Sequence, residues 1–241
     1  MAKQPHLLIE PGDVTDLALV PGDPGRVDRI AAHCDDSETI SENREYRIVN
    51  ATTGDRELTI CSTGIGAPSA AIAVEELAAV GVETFVRVGT CGALQPDIEI
   101  GDMVVATGAA KDDGTTKRYE SPTVPAVPDY RTLSALVAAS EARNETVHTG
   151  PVVTDDAFYN ETDAYVDEWE AAGMQAVEME AAAIFSLARR SGLAAGAICT
   201  VDGNLVEGTQ KGETDDDELP EKARDNVSRA IDVSLDAARR L

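Results

Sequence analysis

An arginine stands inside a short apolar run near the middle of the chain. Arg87 interrupts Phe85–Val88, which otherwise predicts a buried strand, and a buried charge needs a partner or a ligand. The small residues of Gly89–Gly92 follow directly and would let a ligand approach the backbone closely. The planar fork of donors on arginine suits a phosphate or a carboxylate. An arginine on an edge strand before an ordinary glycine turn is the alternative interpretation.

A second candidate anion site is the turn between a predicted strand, Leu17–Val20, and a predicted helix. The turn has the sequence Pro-Gly-Asp-Pro-Gly, and Arg26 follows it in the first helical turn. Pro24 suits that position because its missing N–H is no loss there. Free backbone amides at a helix N-terminus bind anions, so this turn and Arg87 both point to a phosphate-like group.

Two carboxylates, Glu178 and Glu180, precede the predicted helix Ala181–Arg190. Acidic residues at a helix start stabilise the helix dipole, which is one interpretation. A carboxylate can also accept two hydrogen bonds at once, so the second interpretation is a clamp on paired hydroxyl groups of a ligand. The residues alone leave both open.

Strand and helix signals alternate along the chain, without an internal repeat or a linker. They predict one α/β domain over residues 1–241, with three α/β/α layers around a central mixed sheet. Residues 111–128 and 207–218 are predicted loops. The further predicted strands are Tyr46–Thr52, Glu57–Ser62, Thr84–Val88, Met103–Thr107, Val147–Val153, Gln175–Val177 and Ala195–Val201.

The charge balance is strongly acidic, with 44 acidic against 20 basic residues and a formal net charge of −24. Such a surface disfavours nucleic acid and anionic membranes as partners. It suits concentrated salt, where screening removes most self-repulsion, so we expect a halophilic protein. The cysteines show no paired motif, the histidines lie far apart, and no apolar run reaches membrane length. We therefore expect a cytoplasmic protein with reduced thiols.

Five motifs resemble the nucleoside phosphorylases of the uridine phosphorylase and hexameric purine nucleoside phosphorylase type. They occur in the family's order and cover nearly the whole chain, and the segment 60–130 is especially similar to bacterial uridine phosphorylases. The motifs are Pro-Gly-Asp-Pro-x-Arg at 21–26, Asn-Arg-Glu-Tyr at 43–46, Ser-Thr-Gly-Ile-Gly at 62–66, Arg-Val-Gly-Thr-x-Gly at 87–92 and Val-Glu-Met-Glu-Ala at 177–181.

The resemblance implies reversible phosphorolysis of ribonucleosides without a cofactor. Inorganic phosphate, the co-substrate, attacks C1′ and yields the free base and ribose 1-phosphate. The residues implied for phosphate are Gly22, Arg26, Arg87, Thr90 and, from a neighbouring subunit, Arg44. Those implied for ribose are Met179, Glu180 and the neighbour's His6. Those implied for the base are Cys91, Gly92, Phe158 and Glu178.

Two departures from the family pattern concern the base. Uridine phosphorylases carry a Gln and an Arg after the loop phenylalanine that bind uracil, whereas 160–163 here is Asn-Glu-Thr-Asp. Purine enzymes carry an Asp after Thr-Val-Ser that protonates the purine. Asp202 stands one position earlier, so it is either the catalytic acid or a turn residue. We expect a phosphorylase that favours uridine and also accepts a purine nucleoside such as guanosine or inosine, with Asp202 and Asn204 tuning the choice. A purine nucleoside phosphorylase for guanosine or inosine is the alternative.

The resemblance also implies an assembly. Because Arg44 and His6 would be supplied by a neighbour, we expect at least a dimer, and the family implies a hexamer of three dimers. Glu45, Ile65 and Ser69 match positions that bind a monovalent cation between two subunits, for which K⁺ is the candidate. The rival functions are a nucleosidase that uses water and a non-catalytic nucleoside-binding protein. Three phosphate-binding arginines and Glu180 argue against both.

Overall fold

The computed structural model describes residues 3–209 and 218–241, with side chains described at 3–209 and 225–241. Residues 210–217 of the predicted charged loop lie outside the described residues. The strands are β1 (Leu17–Val20), β2 (Asp36–Asn43), β3 (Tyr46–Thr53), β4 (Arg56–Cys61), β5 (Thr84–Ala93), β6 (Met103–Lys111), β7 (Val147–Thr154), β8 (Ala176–Glu178) and β9 (Ala194–Asn204). The helices are α1 (Pro24–Ala31), α2 (Ala67–Val80), α3 (Thr116–Tyr119), α4 (Tyr130–Ala142), α5 (Asp163–Ala171), α6 (Ala181–Arg190) and α7 (Glu218–Ala238), with a short 3-10 helix at Phe158–Asn160.

The strands form one mixed sheet in the order β2-β3-β4-β1-β5-β8-β7-β6-β9. β5 lies at its centre and is parallel to β1 on one side and to β9 on the other. Beyond the end of β1, Gly92 and Ala93 of β5 pair with β8 in the antiparallel direction. Because β5 also pairs with β9, strands β5, β8, β7, β6 and β9 form a closed circuit. This topology places Arg87 in the middle of the sheet rather than at an edge.

Helices cover both faces of the sheet, and each face has its own apolar core. On one face Leu77 of α2 and Phe185 of α6 are fully buried. On the other face Ile30 of α1, Leu136 of α4 and Ile231 of α7 are fully buried. Each such side chain contributes roughly 1.5–3 kcal/mol through burial. The predicted three-layer α/β/α arrangement is confirmed. None of the described helices is long and apolar enough to cross a membrane.

Several elements differ from the prediction, and two further strands also run past their predicted ends, β6 to Lys111 and β9 to Asn204. The predicted strand end at Val88 is wrong: β5 continues to Ala93 because its second half pairs with residues 199–204 of β9. The predicted loop 111–128 contains the short helix α3. The polar edge strand β2 is missing from the prediction, because only Ile40 of this strand packs against the core and no apolar alternation marks it.

Candidate active site

A cavity of about 840 Å³ opens at the carboxyl ends of β1, β4, β5 and β9. Gly22 lies in the turn after β1, and Gly64 lies in the turn after β4. These two turns touch, since the amide of Gly64 donates to the carbonyl of Gly22 at 3.0 Å. A Cβ atom at Gly22 would lie 3.1 Å from the carbonyl oxygen of Gly64, so this close approach favours glycine.

Arg87 is buried in the wall of this cavity and pairs with two carboxylates. Its Nε lies 2.8 Å from Oε2 of Glu178, and its Nη2 lies 2.6 Å from Oε2 of Glu180. Burial alone would lower the pKa of Arg87, but Glu180 and Glu178 more than offset it and raise the pKa. A Cβ atom at Gly89 would lie 2.8 Å from Cζ of Arg87, so the small residue makes room for the guanidinium.

Besides pairing with Arg87, the two carboxylates accept hydrogen bonds from different backbone and side-chain groups. Glu178 accepts hydrogen bonds from the backbone amides of Glu180 and Ala181, at 2.9 and 2.8 Å, and from the hydroxyl of Thr154 at 2.5 Å. Glu178 therefore stabilises the start of α6 and orients Arg87, while its contact with a base stays a prediction. Oε1 of Glu180 accepts from the amide of Gly66 at 2.6 Å, and burial raises the pKa of Glu180 although Arg87 opposes the rise.

Arg26 is the second arginine of the cavity, and its charge is not balanced in the same way. The residue is 8% exposed, and its Nη1 donates to the carbonyl of Val88 at 3.1 Å. Within the described residues its Nε has no hydrogen-bond partner, and no carboxylate forms an ion pair with it. Burial lowers the pKa of Arg26, and the neighbouring charge of Arg87 lowers it further. A buried cation without a counter-charge marks a place for an anion.

The start of α1 is capped by the protein itself. Asp23 accepts a hydrogen bond from the amide of Gly25 at 2.8 Å. The predicted phosphate site in this turn therefore rests on Gly22 and Arg26, both of which line the cavity, rather than on the amide that Asp23 caps.

An aromatic loop and the end of β5 line another part of the cavity. Phe158 and Tyr159 lie on the 3-10 helix with ring centroids 5.1 Å apart, edge to face. Cys91 and Gly92 of β5 belong to the same lining. A Cβ atom at Gly92 would lie 2.3 Å from Cδ1 of Leu205, so a larger residue there would displace the end of that side chain. Phe158, Cys91 and Gly92 thus line one cavity, and their contact with a base stays a prediction.

Asp202 lies in a β-bulge, not in a turn. Cys91 pairs with Val201 and Gly92 with Gly203, so Asp202 is the extra residue of β9. Bulges often re-aim a side chain next to an active site, and Asp202 lines the cavity.

Asn204 is not among the described residues that line the cavity, and its role in tuning the base stays a prediction. Its amide nitrogen donates to the carbonyls of Gln95 and Ile98, and its carbonyl oxygen accepts from the amides of Val206 and Glu207. This buried side chain anchors the segment after β9 and is fully used there.

His6 and Arg44 lie outside the cavity of their own chain. Nδ1 of His6 is 2.5 Å from Oε1 of Glu76. Arg44 occupies the turn between β2 and β3 with a positive φ of 57°, and it is exposed. Their assignment to a neighbouring subunit's site stays a prediction.

The three residues of the predicted cation site lie together at the cavity wall. Glu45, Ile65 and Ser69 all belong to the lining, and Oγ of Ser69 donates to Oε1 of Glu45 at 3.1 Å. Within the described ranges, no group of three or more His, Cys, Asp or Glu residues has the arrangement of a metal site. Carboxylate, hydroxyl and carbonyl oxygens suit a hard monovalent ion.

Glu161 was missed by the sequence reasoning. It is half-buried in the cavity wall, three residues after Phe158. Burial raises the pKa of Glu161 to about 7, and the charges of Asp155 and Asp202 add to the rise. The available signal was its position in the segment that replaces the uracil-binding Gln and Arg.

One cavity of the three-layer sheet is thus lined by two buried arginines, the carboxylate of Glu180 and the aromatic loop, an arrangement consistent with a nucleoside phosphorylase. The model of the Phosphorylase superfamily matches residues 16–239, and the chain belongs to this family. It therefore catalyses phosphorolysis of nucleosides as a pentosyltransferase, with inorganic phosphate as co-substrate.

The similar proteins include phosphorylases of a purine nucleoside and of a pyrimidine nucleoside. A guanosine phosphorylase of Halorubrum lacusprofundi is 69% identical over 98% of both chains. A uridine phosphorylase of Klebsiella aerogenes is 37% identical over 98% of this chain and 97% of the relative. The solved structure of the uridine phosphorylase from Vibrio fischeri ES114 covers 100% of this chain and 98% of its own, with 34% identity and a TM-score of 0.93.

Proposed function

We propose that the chain cleaves guanosine with inorganic phosphate to guanine and ribose 1-phosphate, and that uridine is a second substrate. The sequence identity of 69% to a guanosine phosphorylase, over almost the whole length, is the observation that carries this choice. The cavity agrees with it, because carboxylates rather than a Gln and an Arg line the segment around Phe158. Uridine stays in the proposal because named uridine phosphorylases are 37% and 36% identical.

The proposed reaction needs positioning more than covalent chemistry. Arg26 and Arg87 hold phosphate, and Glu180 accepts the hydroxyls of the ribose. The C1′–N9 bond then breaks, a C1′–O bond to phosphate forms, and the departing guanine takes up a proton. Asp202, at the bulge, is the candidate donor of that proton. Fixed charges around the oxocarbenium-like sugar supply most of the rate gain.

The substrate proposal predicts a defined activity panel. In buffer with molar salt, we expect release of guanine from guanosine only when phosphate is present, with slower release of uracil from uridine. Inosine, adenosine and thymidine complete the panel, and base release is followed by chromatography. Base release without phosphate would identify a nucleosidase, and binding without any release would identify a nucleoside-binding protein.

We infer that each site is shared by two chains, in a hexamer of three dimers. His6 and Arg44 lie outside the cavity of their own chain, and the exposed Ile65 at the cavity wall, 79% accessible, offers an apolar contact. A C2 pair exchanges the same residues in both directions, so two complete sites form.

Mixed oligomers test this sharing. Arg44→Ala and Arg87→Met are each expected to lose most activity alone. Co-expression of the two variants restores one intact site in every mixed pair, because one chain supplies Arg87 and the other supplies Arg44. Activity of the purified mixture well above the sum of the separate variants is the expected result. A mixture no more active than that sum contradicts the sharing.

We propose K⁺ as the ion for Glu45, Ile65 and Ser69, where it would fix the turn after β4 at the subunit contact. The clustering of oxygen atoms that could act as ion ligands supports this assignment. The net charge of −24 supports a halophilic, cytoplasmic enzyme, since a K⁺-rich interior would screen that charge.

A further inference from the structure

The parts of the cavity differ in charge. Arg26 and Arg87 line one part, and the nine-tenths buried Arg26 has an Nε with no partner among the described residues, which marks the phosphate position. Three carboxylates line another part: Asp155, Glu161 and Asp202. Arg87 interacts with Glu178 and Glu180, whereas Glu161 interacts with Asp155 and Asp202. A nucleoside with its C1′ next to the phosphate therefore directs its base toward the carboxylates.

Glu161 is placed to meet the outer edge of such a base. It follows the 3-10 helix that carries Phe158, and it precedes α5, whose start is capped by Thr162. Phe158 is 38% exposed in the same lining and can stack on a base. Glu161 lies three positions further along the chain and lines the same cavity, which allows it to approach the rim of that base.

We propose that Glu161 selects the base by accepting hydrogen bonds from N1–H and the exocyclic 2-amino group of guanine. This inference rests on the proposed function and adds the group that recognises the base. An ionised carboxylate has two acceptor oxygens and no donor. The N1–H and 2-amino groups of guanine are two adjacent donors on the same edge of the base. The two oxygens of one carboxylate can therefore accept one hydrogen bond from each.

The same chemistry ranks the other bases. Hypoxanthine keeps N1–H but lacks the 2-amino group, so inosine forms one of the two bonds. Adenine presents an acceptor at N1, which a carboxylate repels. Uracil presents a single N–H between two carbonyl oxygens, so uridine binding gains little from a carboxylate. The predicted order is guanosine, then inosine, with adenosine the poorest purine nucleoside.

The charge state of Glu161 makes the preference for guanosine over uridine depend on pH. Burial raises its pKa to about 7, so a fall in pH through this value protonates the carboxyl and removes one acceptor. The groups that face it in the described part of the chain are Asp155 after β7, Asp202 on β9 and Tyr165 on α5. The ratio of guanosine to uridine activity is expected to fall as the pH drops below about 7.

The test compares Glu161→Gln with Glu168→Gln in the full-length enzyme. Glu168 is exposed on α5 and offers the same change of charge away from the cavity. For each protein, kcat/KM is measured for guanosine, inosine and uridine at saturating phosphate, and the Kd of free guanine is measured directly. Glu161→Gln is expected to lower kcat/KM for guanosine about 10- to 100-fold, with a smaller loss for inosine and little change for uridine.

Each outcome decides a separate point. Equal losses on all three nucleosides, or no loss on guanosine, would overturn the role of Glu161 even if the wild-type enzyme cleaves guanosine. Wild-type cleavage of uridine but not of guanosine would overturn the proposed substrate, and the role of Glu161 with it. Uridine turnover and the phosphate KM show whether Glu161→Gln is folded, and Glu168→Gln is expected to behave as the wild type.

Discussion

Arg87→Met is expected to lower kcat/KM for phosphorolysis by about 10²–10³-fold, because it removes the donors that hold phosphate in the transition state. It is also expected to lower the free energy of unfolding by about 3–5 kcal/mol, since it leaves two buried carboxylates without their cation. Glu178 and Glu180 both pair with Arg87, at 2.8 and 2.6 Å. Initial rates at varied phosphate and denaturant unfolding measure the two effects.

The stability loss from Arg87→Met carries its own pH dependence. Arg87 opposes the upward pKa shift that burial imposes on Glu180, so its removal raises the pKa of Glu180 in the folded state further above the unfolded value. A carboxyl with a raised folded pKa loses stability as the pH rises from the unfolded pKa toward the folded one. The difference between wild type and variant is therefore smallest near the ordinary carboxyl range and largest at neutral pH.

Arg143→Met is the matched control for Arg87→Met. Arg143 also pairs with two carboxylates, Asp232 and Asp236, but at the surface, where its side chain is 34% exposed. Surface ion pairs contribute about 0–1 kcal/mol, so this variant is expected to keep both stability and activity. Equal effects of the two substitutions, or an unchanged phosphate KM in Arg87→Met, would remove Arg87 from the phosphate site.

Much of the site is predictable because its residues lie in local patterns. The strand, glycine turn and helix around Arg26 are contiguous in sequence, and so are Arg87 with its glycines and Glu178 with α6. In each case a charged residue interrupts or follows an apolar run, which marks it as buried near a ligand. The structure places Arg26 and Arg87 in one cavity.

The remainder depends on contacts between distant segments. The bulge that re-aims Asp202 arises from the register between β5 and β9, which no local pattern records. The anchoring role of Asn204 depends on carbonyls of Gln95 and Ile98 more than a hundred positions away, and its strand end looks like any polar turn in sequence. Glu161 is visible only once the loop after Phe158 folds over the cavity.

Arg26→Met is expected to separate function from stability, in contrast to Arg87→Met. Arg26 is 8% exposed, and within the described residues no carboxylate forms an ion pair with it. The burial of its charge therefore lowers the stability of the fold, and bound phosphate offsets that loss.

Replacement of Arg26 by an apolar side chain of similar length removes that cost while it removes the phosphate contact. We expect the KM for phosphate to rise and kcat/KM to fall by about 10²-fold, since one donor to a developing charge is lost. The free energy of unfolding without phosphate is expected to stay level or rise by about 0.5–2 kcal/mol, as for other residues kept for activity at the expense of stability. Added phosphate stabilises the wild type by mass action and leaves the variant almost unchanged. Thermal unfolding with and without phosphate measures this difference. A variant that is less stable than the wild type in the absence of phosphate would show that Arg26 stabilises the fold. A variant that phosphate stabilises as much as the wild type would show that Arg26 does not bind the anion.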